Sequence, residues 1–383
     1  MSRFDQIISR YQTNSVRWDK FAKEVIPLWV ADMDFSVPEC VTAALEKRIK
    51  HPIYGYTYAS EELKEAIQDY LFKRYQYVIQ KDWLVFLPSV VSGLHMTARN
   101  LLKEGEHALI PRPAYHHFKM ALEGAKHSYS SYTYVLQNNR WLIDLDGLKN
   151  LIQPNTRLLM LCNPHNPGGT VLSAEEIAQI NEIAREHQLM ICADEIHADL
   201  ILDANKIHVP IGKGLDPEEA TNGLTMSLMS LNKTFNFPGI GLGWAVIPNA
   251  TLRKQFAKDL HTLIPGPNAF AFEVSLAVMQ GGQVWHVELL EYLRQNRSIV
   301  QQWVDQHPNL RMAELDATYL AWIDASRVDS KQLTEDFLNA GVAISPGQQF
   351  GAHDFFRLNF GTSQAVLKQA LERMSQALKK SAP

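Results

Sequence analysis

Five short apolar runs punctuate the chain, at residues 107–110, 158–162, 189–193, 224–231 and 244–247. Each has about the length of a strand and lacks the alternation of a half-solvated sheet. That pattern predicts strands covered on both faces, as in a parallel sheet packed between helices. Between the second and third runs lies a helix signal. Ser173 and Glu176 have capping-box spacing, and Ile177, Ile180, Ile183 and Ala184 recur at helical intervals. Turn chemistry at Pro164-His165-Asn166-Pro167-Gly168-Gly169 precedes it, so residues 158–193 read as a βαβ unit. The texture changes near residue 285. A long helix is predicted over 285–307, followed by alternating segments at 319–323 and 356–360, which suit a smaller α+β domain.

Composition narrows the setting. The chain has 383 residues, 46% of them hydrophobic, enough for a large core and two domains. A net charge of -4 leaves no basic excess to recruit nucleic acid. No apolar run reaches the roughly 18 residues of a membrane span, and Met1-Ser2-Arg3-Phe4-Asp5 has no signal-peptide character. Cys40, Cys162 and Cys192 have no metal-ligand spacing, so no metal is expected, and they read as buried, reduced thiols of a cytoplasmic protein. Residues 379–383 are expected to fray.

Ligands of open parallel sheets gather at the carboxyl ends of the strands. Asn163 and Asn166 follow one run, Asp194 ends the next, and Lys233 follows a third, ahead of the glycine-rich stretch Gly239-Ile240-Gly241-Leu242-Gly243. A lysine at the end of a buried run is costly unless it pairs or reacts, and enzymes use such lysines to form Schiff bases with carbonyls. Taken singly, Lys233 reads equally as a lysine emerging into solvent. Asp194 reads as a helix cap, and the Asn166 segment as a plain turn. Together, on successive strands, they define a candidate site.

These residues carry a resemblance. Asn166-Pro167-Gly168-Gly169, Asp194, the Ser230/Lys233 pair and Phe356-Arg357-Leu358-Asn359 resemble the motifs of fold-type-I enzymes that use pyridoxal 5′-phosphate, the aspartate aminotransferase superfamily. Trp29-Val30-Ala31-Asp32-Met33-Asp34-Phe35, Tyr54-Gly55-Tyr56, Pro113-Ala114-Tyr115, Asp194-Glu195-Ile196-His197, Lys233-Thr234-Phe235-Asn236, Thr318-Tyr319-Leu320-Ala321-Trp322 and Ser345-Pro346-Gly347 are similar to one branch. It is the cystathionine β-lyase, or C–S lyase, branch that includes the bacterial MalY and PatB proteins. The likeness runs from about residue 3 to about residue 375.

The resemblance implies an α/β fold with a large cofactor domain, residues 45–282, holding a mostly parallel sheet between helices. A smaller α+β domain would be built from both chain ends, residues 1–44 and 283–383. It implies that Lys233 holds pyridoxal 5′-phosphate and then works as general base. Asp194 would face the pyridine nitrogen, Asn166 the phenolic oxygen, and Tyr115 would stack on the ring and share in proton transfer. His197 would lie beside the site. Val91, Ser92 and Ser230 would hold the phosphate, joined by Tyr56 from a neighbouring subunit of a homodimer with shared sites. Arg357 would clamp the carboxylate of a small amino-acid substrate. Two positions depart from the pattern. Gly241 stands where aspartate aminotransferases carry a phosphate-binding arginine, and Asn232 where the branch often has serine. The expected reaction is β-elimination from cystathionine or cysteine S-conjugates. The alternatives are an aminotransferase with a keto-acid acceptor and a regulatory binding protein that keeps the fold.

Overall fold

The computed structural model describes residues 2–215, 217–260, 262–328 and 332–380. An eight-stranded sheet is built from β1 (Leu84–Leu87), β2 (His107–Arg112), β3 (Ser128–Gln137), β4 (Arg140–Ile143), β5 (Thr156–Cys162), β6 (Met190–Asp194), β7 (Thr225–Met229) and β8 (Gly243–Val246). Their order is β1-β8-β7-β6-β5-β2-β3-β4. The central run from β7 to β3 is parallel, while β8 and β4 join it antiparallel.

Helices α1 (Glu61–Tyr75), α2 (Val90–Leu101), α3 (His117–Ala125), α4 (Ala174–Glu186) and α5 (Gln283–Asp305) matter most below. Alternate residues of β5 enter different cores. Leu158, Met160 and Cys162 pack with Leu94 of α2 and Phe118 of α3, whereas Leu159 and Leu161 pack with Ile177, Ile180 and Ile183 of α4. Both faces are therefore covered, which is why the run shows no polar alternation. The capping box at α4 is formed: Glu176 N–H donates to Ser173 Oγ at 3.2 Å, and Ser173 N–H to Glu176 Oε2 at 2.6 Å.

A second, antiparallel sheet holds β9 (Arg311–Met312), β10 (Leu320–Asp324), β11 (Ser345–Pro346) and β12 (Phe355–Asn359), in the order β9-β10-β12-β11. The N-terminal segment reaches this region, with Ile26–Pro27 pairing in parallel with Val342–Ala343.

Local readings change at a few positions. The apolar run 224–231 outlasts its strand, which stops at Met229, so Leu231 is buried from a turn and Lys233 sits on that turn, not on a strand end. The hairpin β3–β4 adds an edge whose two-residue loop, Asn138 and Asn139, has φ of 51° and 60°, a left-handed pair that asparagine tolerates. Cys162 and Cys192 are buried and Cys40 half-buried, all as free thiols. Of the C-terminal residues expected to fray, 379–380 close the helix Gln364–Lys380, and 381–383 lie outside the described residues.

Candidate active site

The carboxyl ends of β5 and β6 and the turn after β7 open onto a cavity of about 320 Å³. Across it lie residues 29–31 and the turn Gly347–Phe350. Seven of the ten predicted site residues line it: Val91, Tyr115, Asn166, Asp194, His197, Lys233 and Arg357. The other three do not. Ser92 spends its N–H and hydroxyl on Ser89, Ser230 donates its hydroxyl to the Leu242 carbonyl, and Tyr56 is fully exposed on the surface.

Lys233 is half-buried, and its Nζ donates to the Ala31 carbonyl at 2.6 Å. Burial lowers its pKa to about 8, Arg357 adds to the lowering, and Asp32 and Asp194 oppose it. A lysine so placed carries a substantial neutral fraction just above neutral pH, as a nucleophile or base requires. Asp194 is 5% exposed, and Ile196 N–H donates to its Oδ1 at 3.1 Å. Burial, with Glu195 adding, pushes its carboxyl up to about 7 against the Ile196 bond and Lys233. The group is thus short of positive charge.

Arg357, on β12, donates from Nη1 to Asn166 Oδ1 at 3.0 Å and from Nη2 to the Trp29 carbonyl at 2.9 Å. Its guanidinium packs 4.6 Å from the Phe350 ring centroid. Burial brings its pKa down to about 10, and Nε finds no protein partner. No carboxylate pairs with it among the described residues, so an anion has a place here. Asn166 gives its oxygen to Arg357 and keeps its NH₂ as the donor for a ligand. His197 lies on a turn after β6, buried, with Nδ1 unpartnered. Burial, then Lys233 and Arg357, lowers its pKa to about 3, so the ring is a neutral wall at neutral pH. Burial and Asp194 raise the Tyr115 phenol, which therefore stays protonated and can donate a proton rather than take one.

At one edge of the cavity α2 begins. Ser89 is its N-cap and accepts from Ser92 N–H at 3.0 Å, which leaves the first N–H groups of Val90 and Val91 at a helix N-terminus lining the cavity.

With this geometry in hand, the likeness to known proteins is decisive. The profile of aminotransferase class I and II matches residues 23–374. The chain belongs to that family. Cystathionine beta-lyase PatB of Bacillus subtilis (strain 168) is 32% identical, over 98% of this chain and 99% of that protein. The solved structure of OvoB is 37% identical with a TM-score of 0.94, covering 98% of each chain. The PLP-bound C-S lyase from Staphylococcus hominis is 29% identical with a TM-score of 0.90, covering 99% of this chain and 98% of that one. The fold is that of the fold-type-I enzymes.

Within the family, the departure at Gly241 has a steric reason. A Cβ there would lie 2.7 Å from the Pro88 carbonyl oxygen, immediately before the helix cap Ser89. A side chain at 241 would push the α2 N-terminus away, so an arginine is incompatible with this backbone. Asn232, the other departure, lines the cavity, and its Oδ1 has no partner.

Sequence reasoning ties the loops at 29–35 and 348–353 to pocket shape but does not give the contacts they make. The Ala31 and Trp29 backbone carbonyls accept from Lys233 and Arg357, a role that no side-chain motif reveals. Ser89 belongs to the same helix-start segment, 89–94, as the phosphate candidates Val91 and Ser92, and it lines the cavity where Ser92 does not. Phe350 and Gln349 come from the loop 348–353, which the sequence reading ties to pocket shape without giving its conformation.

Proposed function

We propose that this chain is a pyridoxal 5′-phosphate-dependent C–S β-lyase. It would convert L-cystathionine or related cysteine S-conjugates to pyruvate, ammonia and a thiol. One observation carries the reading: a reactive lysine, a buried carboxylate short of charge and a buried arginine without a carboxylate share one cavity. The names of the relatives above agree with it.

The residues suit the cofactor. Asp194 would face the pyridine nitrogen: the protonated ring would supply the positive charge the carboxylate lacks, and the carboxylate's negative charge would keep the nitrogen protonated. Lys233 would hold the aldehyde carbon, Asn166 NH₂ would donate to the phenolic oxygen, and Tyr115 would cover the ring. The Val90 and Val91 N–H groups would cradle the phosphate, with Ser92, Ser230 and Tyr56 of a second subunit as further contacts. When bound, the cofactor supplies an electron sink for charge released at the substrate Cα.

The chain's own groups then divide the work. Arg357 clamps the α-carboxylate with parallel donors and so sets which Cα bond is aligned for cleavage. The neutral amine of Lys233 takes the Cα proton. The C–S bond breaks with its electron pair on sulfur, and a proton completes the thiol. Tyr115 is a protonated donor lining the cavity for that step. The released enamine hydrolyses to pyruvate and ammonia.

The large domain spans 45–282 and the small domain combines 1–44 with 283–383, so that the cavity lies where they meet. The exposed cluster Ile53, Tyr54, Tyr56 and Tyr58 supports a homodimer with shared sites. No helix among the described residues is long and apolar enough to cross a membrane, and the cytoplasm is the proposed location. No group of three or more His, Cys, Asp or Glu among the described residues is placed to hold a metal.

The test is pyruvate release by purified, cofactor-loaded protein given L-cystathionine. Release without any keto acid supports the lyase. Turnover that requires a keto-acid acceptor and yields no pyruvate from L-cystathionine identifies an aminotransferase instead.

A further inference from the structure

A second cavity, of about 560 Å³, adjoins the first, and Tyr115, His116, Gln349 and Phe350 line both. They form a wall between the two. The turn Gly347–Phe350 and Gly351 after it are fastened to the end of β2 and the residues that follow: Ala114 N–H donates to the Phe350 carbonyl at 3.1 Å, and Arg112 Nε to the Gly351 carbonyl at 2.9 Å. Phe350 is also the ring that packs on Arg357, so the wall is indexed to the group proposed to hold the substrate's α-carboxylate.

The outer cavity carries charges of both signs. Lys119 of α3 lies 3.4 Å from Glu123, and the Tyr129 hydroxyl donates to the same carboxylate at 3.2 Å. Arg112 uses Nε on Gly351, which leaves its terminal nitrogens for a ligand. His116, at the junction, adds no charge at neutral pH, because burial and then Arg357 lower its pKa below the ordinary value. Two cations and one carboxylate thus edge this space.

We infer that the outer cavity receives the leaving thiol, and that the favoured substrates are cysteine S-conjugates whose thiol half bears its own carboxylate. This rests on the lyase reading of the inner cavity. At about 320 Å³, the inner cavity has little room beyond the cofactor and the cysteinyl half. A longer thiol half must pass the Tyr115–Phe350 wall before the C–S bond breaks. Arg112 and Lys119 meet its carboxylate, and Glu123 is left for an ammonium where the thiol is itself an amino acid.

Cofactor-loaded enzyme tests this with four substrates: L-cysteine, S-propyl-L-cysteine, S-(2-carboxyethyl)-L-cysteine and L-cystathionine. The propyl and carboxyethyl conjugates have nearly equal length and differ in charge. The parent is expected to favour the carboxyethyl conjugate by kcat/KM. Lys119→Glu, an exposed helix position, should cut the carboxyethyl-to-propyl ratio about fivefold, and Arg112→Gln should cut it in the same direction. Pyruvate from all four substrates with the same ratio in parent and variants overturns the inference and leaves the lyase reading standing. No pyruvate from any substrate overturns both.

Discussion

Asp194 and Asp199 stand five residues apart, and both are 5% exposed. Asp199 is surrounded by donors. Arg74 Nε of α1 and the Tyr75 hydroxyl donate to its carboxylate at 3.0 and 2.6 Å. Arg74 also donates to His286 Nδ1 of α5 at 3.0 Å, and His286 Nε2 donates to the Asp199 carbonyl at 2.8 Å. Burial pushes the Asp199 carboxyl up, but Arg74, His286 and the tyrosine together outweigh it and hold it below its usual range. Asp194 has one backbone N–H and is pushed up to about 7. One short stretch therefore carries a buried charge closed by protein and another left open. Buried charges that are fully paired belong to structure, and the one that is short of partners marks where a ligand completes the set.

Four experiments press on this contrast. The largest effect is expected on the open side, where Lys233→Ala should lower pyruvate release from L-cystathionine about 10⁴-fold, measured in single-turnover assays. On the closed side, Asp199→Ala strands Arg74 and should cost about 3–4 kcal/mol of folding stability, read by denaturant unfolding. The third concerns pH. Lys233 is protonated below about 8, and only the neutral amine attacks a carbonyl. Capture of pyridoxal 5′-phosphate by cofactor-stripped protein should therefore quicken about tenfold per pH unit up to about 8 and level off above it. A levelling only near the ordinary lysine value would show that burial does not tune this amine. The smallest effect is at Arg357→Lys, which keeps the charge and loses the fork. It should lower kcat/KM for L-cystathionine about tenfold.

The same contrast explains what was legible in the sequence. Local patterns report local energetics. The capping box at Ser173 and Glu176, the doubly covered β5 and the Asn166, Asp194 and Lys233 positions at one sheet edge all follow from spacing along the chain. The end of the strand before Lys233 did not, because Leu231 is buried by contacts from a turn and looks apolar for the same reason a strand residue does. Nor did the contact made by the loop at 29–31, which meets Lys233 about 200 positions away through a backbone carbonyl that every residue type possesses. The Arg74–Asp199–His286 cluster joins three separate helices and turns, and its members read singly as surface charges. Gly241 was visible as a departure from the family pattern. Its cause, the Pro88 carbonyl against it, was not.

The central claim is that Asp194 is left short of charge because a cofactor supplies it. Its folded pKa, about 7, lies above the ordinary carboxylate value of 3.8, so the folded protein binds that proton more tightly than the unfolded chain. The group therefore favours folding at low pH and loses that contribution as pH rises from about 4 through about 7. The direct measurement is unfolding of cofactor-free Asp194→Asn at about pH 8, paired with its affinity for pyridoxal 5′-phosphate. The account predicts stability equal to or above that of the parent, with weakened cofactor binding and lost lyase activity. A variant destabilised as Asp199→Ala is, with cofactor affinity unchanged, would contradict it.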